Sequence, residues 1–339
     1  MSETNQKKKA AFLAVLFLVS SLFLFAFLAI GFFTFRFSKL TGLGTNQMLK
    51  GAWAGFTNPY NKKYLTVLVL GLDSRENDNS LLTDTILLAT INVKSGDYLL
   101  FSIPRDLWLE DLKTKINALY YYGQKQNPDD GSQLVKKRLE EILDWPIDYL
   151  SLFKMEQIKD LIDRVGGVEV EVGQAFSDQQ FPKDDGSGEV MTVSFKEGKQ
   201  MFGGEKALQF MRSRKSQDPV ESTDEARQKR QKQVILALQK KLLTQKTLWL
   251  DLSLMANLFN FATQEIKTNP RLDLITLVSF WSVGRSVAFG GQSRELELDW
   301  QSEDSILTAK REPNNNAWIL LPKGNDWQLI EDYFHKNLP

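Results

Sequence analysis

The sequence predicts an α/β protein, an α/β sandwich around a mixed central sheet, with one transmembrane helix at its N-terminus. Three observations point there. An uncharged run from Ala10 to Phe35 follows three lysines. Three apolar segments then succeed one another with short polar connections between residues 64 and 103. From there to the C-terminus, strand-like and helix-like patterns alternate, the signature of helices layered on a sheet.

The apolar run is rich in Phe, Leu, Ala and Val and ends at Arg36. About 20 helical residues cross a bilayer, so the run spans one with some tilt. The apolar core of a cleaved signal peptide is shorter, roughly 7–15 residues, and a small-residue cleavage site follows it. Lys7, Lys8 and Lys9 favour a cytoplasmic N-terminus. The expected layout is a cytoplasmic tail over 1–9, an anchor over 10–35, a Ser/Gly/Asn-rich linker over 36–61 and an extracytoplasmic domain over 62–339.

Tyr64 to Leu72 reads as a buried strand, Thr85 to Ile91 as a second and Asp97 to Ile103 as a third, stopped by Pro104. Short connections make them neighbours running up, down and up. A helix follows from Ser132, read as its N-cap, to about Asp144. Ile147 to Phe153 is a strand, and Met155 to Val165 a helix closed by Gly166-Gly167. Val168 to Val172 is a strand. The polar stretch 173–189 reads as a surface loop, and Val190 to Phe195 as a short strand. Helices are expected over Gly204 to Met211, Asp224 to Leu243, 250–266, 272–284 and 326–336, with strands near 294–299 and 316–321.

Composition narrows the chemistry. Basic and acidic residues both number 42, so the formal net charge is zero, which gives no footing for a nucleic-acid partner. With no cysteine, disulfides, thiolate metal sites and a cysteine nucleophile are excluded. The sole histidine, His335, argues against a Ser-His-Asp triad and a histidine-rich zinc site. Carboxylates, arginines, lysines, hydroxyls and a hard metal ion remain.

The up-down-up order brings Asp73, Asp84 and Arg105 to one end of the sheet. Two carboxylates there can hold Mg²⁺, which takes oxygen ligands together with waters or phosphates. Arg105 can grip a phosphate bidentately, and Arg75 shares the loop after the first strand. The blander reading is a solvated loop laced with salt bridges. On the long helix, Val234, Leu238 and Leu242 form a core-facing stripe. Stepping back by threes and fours continues it through Gln231 to Arg227, with Arg230 at its edge. An arginine facing the core needs an anion: either an internal aspartate, Asp224 or Asp218, or a bound phosphate. Arg212 and Arg214 share one ligand only if the preceding helix ends near Arg212.

Taken together, LGLDSR (70–75), LLTDTILL (81–88), SIPRD (102–106), KIN (115–117), DRVGGVEV (163–170), GKQMFGGEKALQFMRSR (198–214) and DEARQKRQ (224–231) resemble the LytR-CpsA-Psr family of bacterial envelope proteins. These motifs occur in the family's order and span most of residues 64–243. The resemblance implies an α-β-α sandwich around a mixed sheet, with a hydrophobic tunnel for lipid. It implies a Mg²⁺-dependent transferase at the bacterial plasma membrane, moving a glycan from a polyprenyl-pyrophosphate carrier to peptidoglycan. By position, Asp73 and Asp84 match the family's Mg²⁺-associated aspartates. Arg105, Arg212, Arg214, Arg227 and Gln231 match its pyrophosphate-binding set, and Arg75 and Lys115 match polar positions near it. Asp84 and Asp106 are the candidates for the base that activates the acceptor hydroxyl. Where the family often reads KINHAY, this chain has Lys115-Ile116-Asn117-Ala118-Leu119-Tyr120, and Thr83 replaces the frequent serine before Asp84. Two other readings fit the same residues: a polyprenyl-diphosphate pyrophosphatase, and a non-catalytic protein that binds the lipid carrier.

Overall fold

A computed structural model describes residues 31–339 except 33, 58–61, 73–80, 129, 184–186, 245–250, 275, 278, 279, 281, 282, 284–286, 288–290 and 303. Most of the expected anchor, together with Asp73 and Arg75, lies outside the described residues. Among those described, no helix is long and apolar enough to cross a membrane.

The central sheet has six strands: β1 (Tyr64–Leu72), β2 (Thr83–Asn92), β3 (Tyr98–Ser102), β6 (Tyr149–Lys154), β11 (Lys267–Asn269) and β12 (Ser293–Glu297). Their order is β11-β6-β1-β2-β3-β12. β1, β2 and β3 pair antiparallel, as their short connections require. β6 joins β1 in parallel and β12 joins β3 in parallel, so the sheet is mixed.

Alternation along the strands sorts two faces. Leu68, Leu70, Ile86, Leu88, Leu99 and Phe101 are buried on one. They meet Val135, Leu139 and Leu143 of the helix Ser132–Leu143 and Ile330 and Phe334 of the helix Gln328–Lys336. On the other face, Val67, Ile91 and Tyr149 pack with Phe280 and Val283. The long helix Asp224–Thr244 crosses this face, and its Gln239 donates to the Tyr98 hydroxyl at 3.0 Å. Helices thus cover both faces.

A second apolar cluster lies beside the sheet. It joins the helices Met155–Arg164 and Gly204–Arg212 to the strands β7 (Val168–Val172), β8 (Phe176–Pro182), β9 (Val190–Phe195) and β10 (Gly198–Phe202). Phe176, Phe195, Phe202 and Phe210 form its aromatic centre. The expected glycine stop is present: Gly166 and Gly167 take φ of +76° and +89° after Arg164.

Four expectations are corrected. The stretch read as a linker holds the helix Thr45–Thr57. The stretch read as a surface loop contains β8, hairpinned onto β9. Ser132 is not the cap of its helix: the Asp130 carboxylate accepts from the Ser132 N–H at 3.3 Å and from its hydroxyl. Short strands lie where none was expected, among them β10, β11 and β13 (Leu307–Arg311). β13 pairs with β14 (Trp318–Pro322).

Candidate functional site

Thr83 and Asp84 open β2, and Arg105 follows β3, so the antiparallel pair delivers both to one sheet edge. There Arg105 Nη1 lies 2.9 Å from Asp84 Oδ1, and Arg227 Nη2 lies 3.5 Å from Asp84 Oδ2. Arg105 Nε is 3.7 Å from Asp106 Oδ2, and the other Asp106 oxygen pairs with Lys115 Nζ. Lys115 is placed by the two-residue pairing of β4 (Trp108–Leu109) with β5 (Thr114–Lys115). The Thr83 hydroxyl donates to the Asn117 carbonyl at 3.2 Å and holds the same loop. Three cations therefore alternate with two carboxylates, from Lys115 through Asp106, Arg105 and Asp84 to Arg227.

The stripe read on the long helix is present. Arg227, Gln231, Val234 and Leu238 are all buried. Arg227 reaches Asp84, 143 residues away, across the site. Gln231 Nε2 approaches the Met211 carbonyl at 3.5 Å, which ties this helix to the end of Gly204–Arg212.

That shorter helix does end at Arg212, and Ser213 is extended with ψ of 130°. Arg212 is buried and pairs with Glu156, whereas Arg214 is exposed. The turn between them is set by Asp178, which is 1% exposed. Its Oδ2 accepts from the Ser213 hydroxyl at 2.7 Å and from the N–H groups of Arg214 and Lys215 at 3.0 Å each. Its Oδ1 accepts from Gln180 N–H at 3.0 Å. Burial by itself would push the Asp178 carboxyl up. The bonds from Lys215, Ser213, Gln180 and Arg214 together outweigh that and hold it below the ordinary aspartate value.

Arg230, grouped with the phosphate candidates from sequence, is committed to the fold. Its guanidinium donates to the carbonyls of Phe210 at 3.0 Å, Ser213 at 2.6 Å and Glu221 at 3.1 Å, and to the Glu221 carboxylate at 2.6 Å. It also lies over the Phe176 ring at 4.8 Å. Burial lowers its pKa from the ordinary arginine value, against the opposing pull of Glu221.

A cavity of about 660 Å³ opens from Asp84 and Arg105 between the sheet and the long helix. Its wall carries Leu87, Leu100, Ile103, Ile235, Leu236, Leu296 and Leu298, with Gln231, Asp299 and Trp300 among the polar and amphipathic positions. The long helix is thus apolar on two sides: Val234 and Leu238 enter the second core, while Ile235 and Leu236 face the cavity.

The structure brings Asp84, Arg105, Arg227, Asp106 and Lys115 into one cluster. Glu156, Asp178 and Glu221 had no sequence signal. Each lies outside the arginine-bearing motifs or far along the chain from its partner, as Asp178 is from Ser213, 35 residues away. Among the described residues no cluster of three or more acidic or histidine side chains could hold a metal. Asp84, whose two oxygens pair with Arg105 and Arg227, is the one expected metal ligand among the described residues.

The profile of the LytR_cpsA_psr family matches residues 42–307. A polyisoprenyl-teichoic acid–peptidoglycan teichoic acid transferase, TagU of Bacillus subtilis, is 30% identical over 228 residues. That match covers 66% of this chain and 64% of TagU, so the chain spans under two thirds of that relative's length. The crystal structure of B. subtilis TagV superposes with a TM-score of 0.58 at 22% identity, covering 82% of this chain and 98% of TagV. A structure of TagT bound to LIIa-WTA gives 0.57 at 23% identity, covering 82% of this chain and 91% of TagT. At these identities the structural likeness establishes the fold.

Proposed function

The chain belongs to the LytR-CpsA-Psr family, and from that premise we propose that it is a transferase moving a glycopolymer from a polyprenyl-pyrophosphate carrier to peptidoglycan. One observation carries the reading: the Asp84–Arg105–Arg227 cluster stands at the mouth of an aliphatic cavity. A cationic head site joined to an apolar channel is what a molecule with a pyrophosphate head and a prenyl tail requires. TagU's name gives it a polyisoprenyl-linked teichoic acid donor and a peptidoglycan acceptor, which supports the same chemistry here.

In this reading the prenyl chain lies along Leu100, Ile235, Leu236 and Leu296. Arg105 turns its planar fork from Asp84 to the pyrophosphate, and Arg227 holds Asp84 in place as it does so. Asp84, with Asp73, would hold Mg²⁺, which supplies charge neutralisation at the pyrophosphate when bound. Arg105, Arg227 and Arg212 stabilise charge that grows on the departing prenyl pyrophosphate. Asp106, shared by Arg105 and Lys115, would take the acceptor hydroxyl's proton as the new bond forms, since Asp84 is engaged by two arginines. Residues 10–35 would anchor the domain to the outer face of the plasma membrane.

The test is direct. The full chain is incubated with Mg²⁺, a short-chain prenyl-pyrophosphate disaccharide and a peptidoglycan oligosaccharide, beside Arg105→Ala. Mass spectrometry should find the disaccharide joined to the acceptor, and the variant should lose that product. Free prenyl phosphates without a joined product would replace this reading with hydrolysis. Donor bound and unchanged with every acceptor would replace it with carrier binding.

A further inference from the structure

The segment between the apolar run and the domain is not a loose tether. Residues 34–41 are helical and dock on the helix Leu252–Asn260: Asn260 Nδ2 donates to the Leu40 carbonyl at 3.0 Å, and the Phe37 and Phe259 rings stand 5.8 Å apart. The helix Thr45–Thr57 docks through Gly51, which is buried so closely on Leu274 that a β-carbon there would meet the Leu274 side chain at 2.6 Å. A helix turns about 100° per residue, so positions two before and two after Gly51 lie on the side away from that contact. Those positions are Leu49 and Trp53, which are 70% and 71% exposed.

Two further facts say what this face meets. The apolar run ends at Phe35, ten residues before Thr45, so the helix emerges within a short reach of wherever that run is seated. From residue 31 to 72 the chain holds no aspartate or glutamate, only Arg36, Lys39, Lys50, Lys62 and Lys63 as charges. A large aliphatic and a tryptophan on one face, with cations as the only charges in the neighbouring sequence, match the chemistry of a helix lying in a lipid headgroup layer.

We propose that the Leu49–Trp53 face of the helix Thr45–Thr57 lies on an anionic phospholipid surface and fixes the domain's orientation on the bilayer. The proposal rests on residues 10–35 being a membrane anchor. Trp53 places its ring at the headgroup level, Leu49 enters the acyl boundary, and Lys50 and Lys39 meet lipid phosphates. Because Gly51 and Leu40 are locked to the domain, seating this helix seats the whole body and holds its lipid cavity at a constant height.

The absence of cysteine makes the test clean. Leu49→Cys, Trp53→Cys, Leu24→Cys and Val190→Cys are made singly in the full chain and labelled with an environment-sensitive fluorophore. Each is reconstituted in phosphatidylglycerol–phosphatidylethanolamine vesicles. Val190, 54% exposed on β9, is the water-facing reference, and Leu24 reports the anchor. Nitroxide lipids with shallow spin labels should quench positions 49 and 53 and spare position 190, and lipids spin-labelled deep in the acyl chain should quench position 24. Labels at 49 and 53 as unquenched as 190, with position 24 quenched, would overturn the docking face while leaving the anchor intact. An unquenched position 24 would overturn the anchor and the proposal with it. Labels at 49 and 53 shielded in dilute detergent, with cross-linked dimers, would assign the face to a second copy of the chain and overturn it as well.

Discussion

Arg105 and Asp84, 21 residues apart in sequence, meet at 2.9 Å, and Arg227 holds the other Asp84 oxygen. The pair holds Arg105 beside the cavity it lines, from where its fork can turn to a ligand's phosphate. Arg105→Ala should then cost about 3 kcal/mol of transition-state stabilisation, roughly a hundredfold in kcat/KM. Arg105→Lys should recover little of it, since an ammonium cannot present two parallel donors. Steady-state kinetics with the prenyl-pyrophosphate donor checks both. Full activity in Arg105→Lys would show that the contact is not bidentate.

Asp178 touches no proposed ligand, yet it fixes the turn that carries Arg214 away from Arg212. Asp178→Asn keeps the shape but turns an amide N–H₂ or a weaker acceptor toward three donors. The donor KM should rise while kcat changes little, and the variant should melt at lower temperature. The pH dependence has a definite sign. The folded pKa is depressed, so the stabilisation is fully present above the unfolded aspartate value of about 3.9 and is lost as pH falls through the lower folded value. Thermal melts between neutral pH and about pH 3 should therefore show a steeper acid loss in the parent chain than in Asp178→Asn. Parallel acid profiles would remove Asp178 from this role.

What was legible in the sequence was what rests on local pattern. β1, β2 and β3 announce themselves by apolar runs with turn residues between them, and their order alone carries Asp84 to Arg105. The stop after Arg164 is written in Gly166-Gly167, and the inward course of Arg227 and Gln231 in the spacing of Val234 and Leu238. The misses depend on partners distant in sequence. β8 reads as a loop because Asp178 interrupts its apolar positions, and its register shifts between Asp178 and Phe181. That aspartate belongs there only because Ser213, Arg214 and Lys215 arrive opposite it. The helix Thr45–Thr57 was hidden because its buried contact is a glycine, Gly51, which adds nothing to an apolar stripe. Arg230, at the edge of that stripe, was grouped with Arg227 as a phosphate candidate, since nothing nearby in the sequence says that the carbonyls of Phe210 and Ser213 will point at it.

Arg227 and Arg230 should accordingly fail in different ways. Arg230→Gln leaves three carbonyls and the Glu221 carboxylate short of donors in a buried setting, so it should lower stability by about 3 kcal/mol or more. Denaturant titration measures that. Arg227→Gln gives up an ion pair with Asp84 at 3.5 Å and should weaken donor binding while leaving a folded protein. Equal losses of stability in the two would show that Arg227 is also committed to the fold.

The cavity gives the last prediction. Ile235 and Leu236 face it from the long helix, beside the buried stripe of Val234 and Leu238. A tryptophan at 235 would fill open space instead of overpacking a closed core, so Ile235→Trp should fold normally. Small-to-large changes in filled cores typically cost about 1–3 kcal/mol, and their absence here would itself confirm open volume. If the prenyl tail lies in this space, Ile235→Trp should weaken binding of long-chain pyrophosphates and spare a short-chain analogue that needs only the Arg105 end. Affinities measured across a series of chain lengths decide it. A uniform loss at every length would place the obstruction at the head site, and no loss at any length would place the tail elsewhere on the protein.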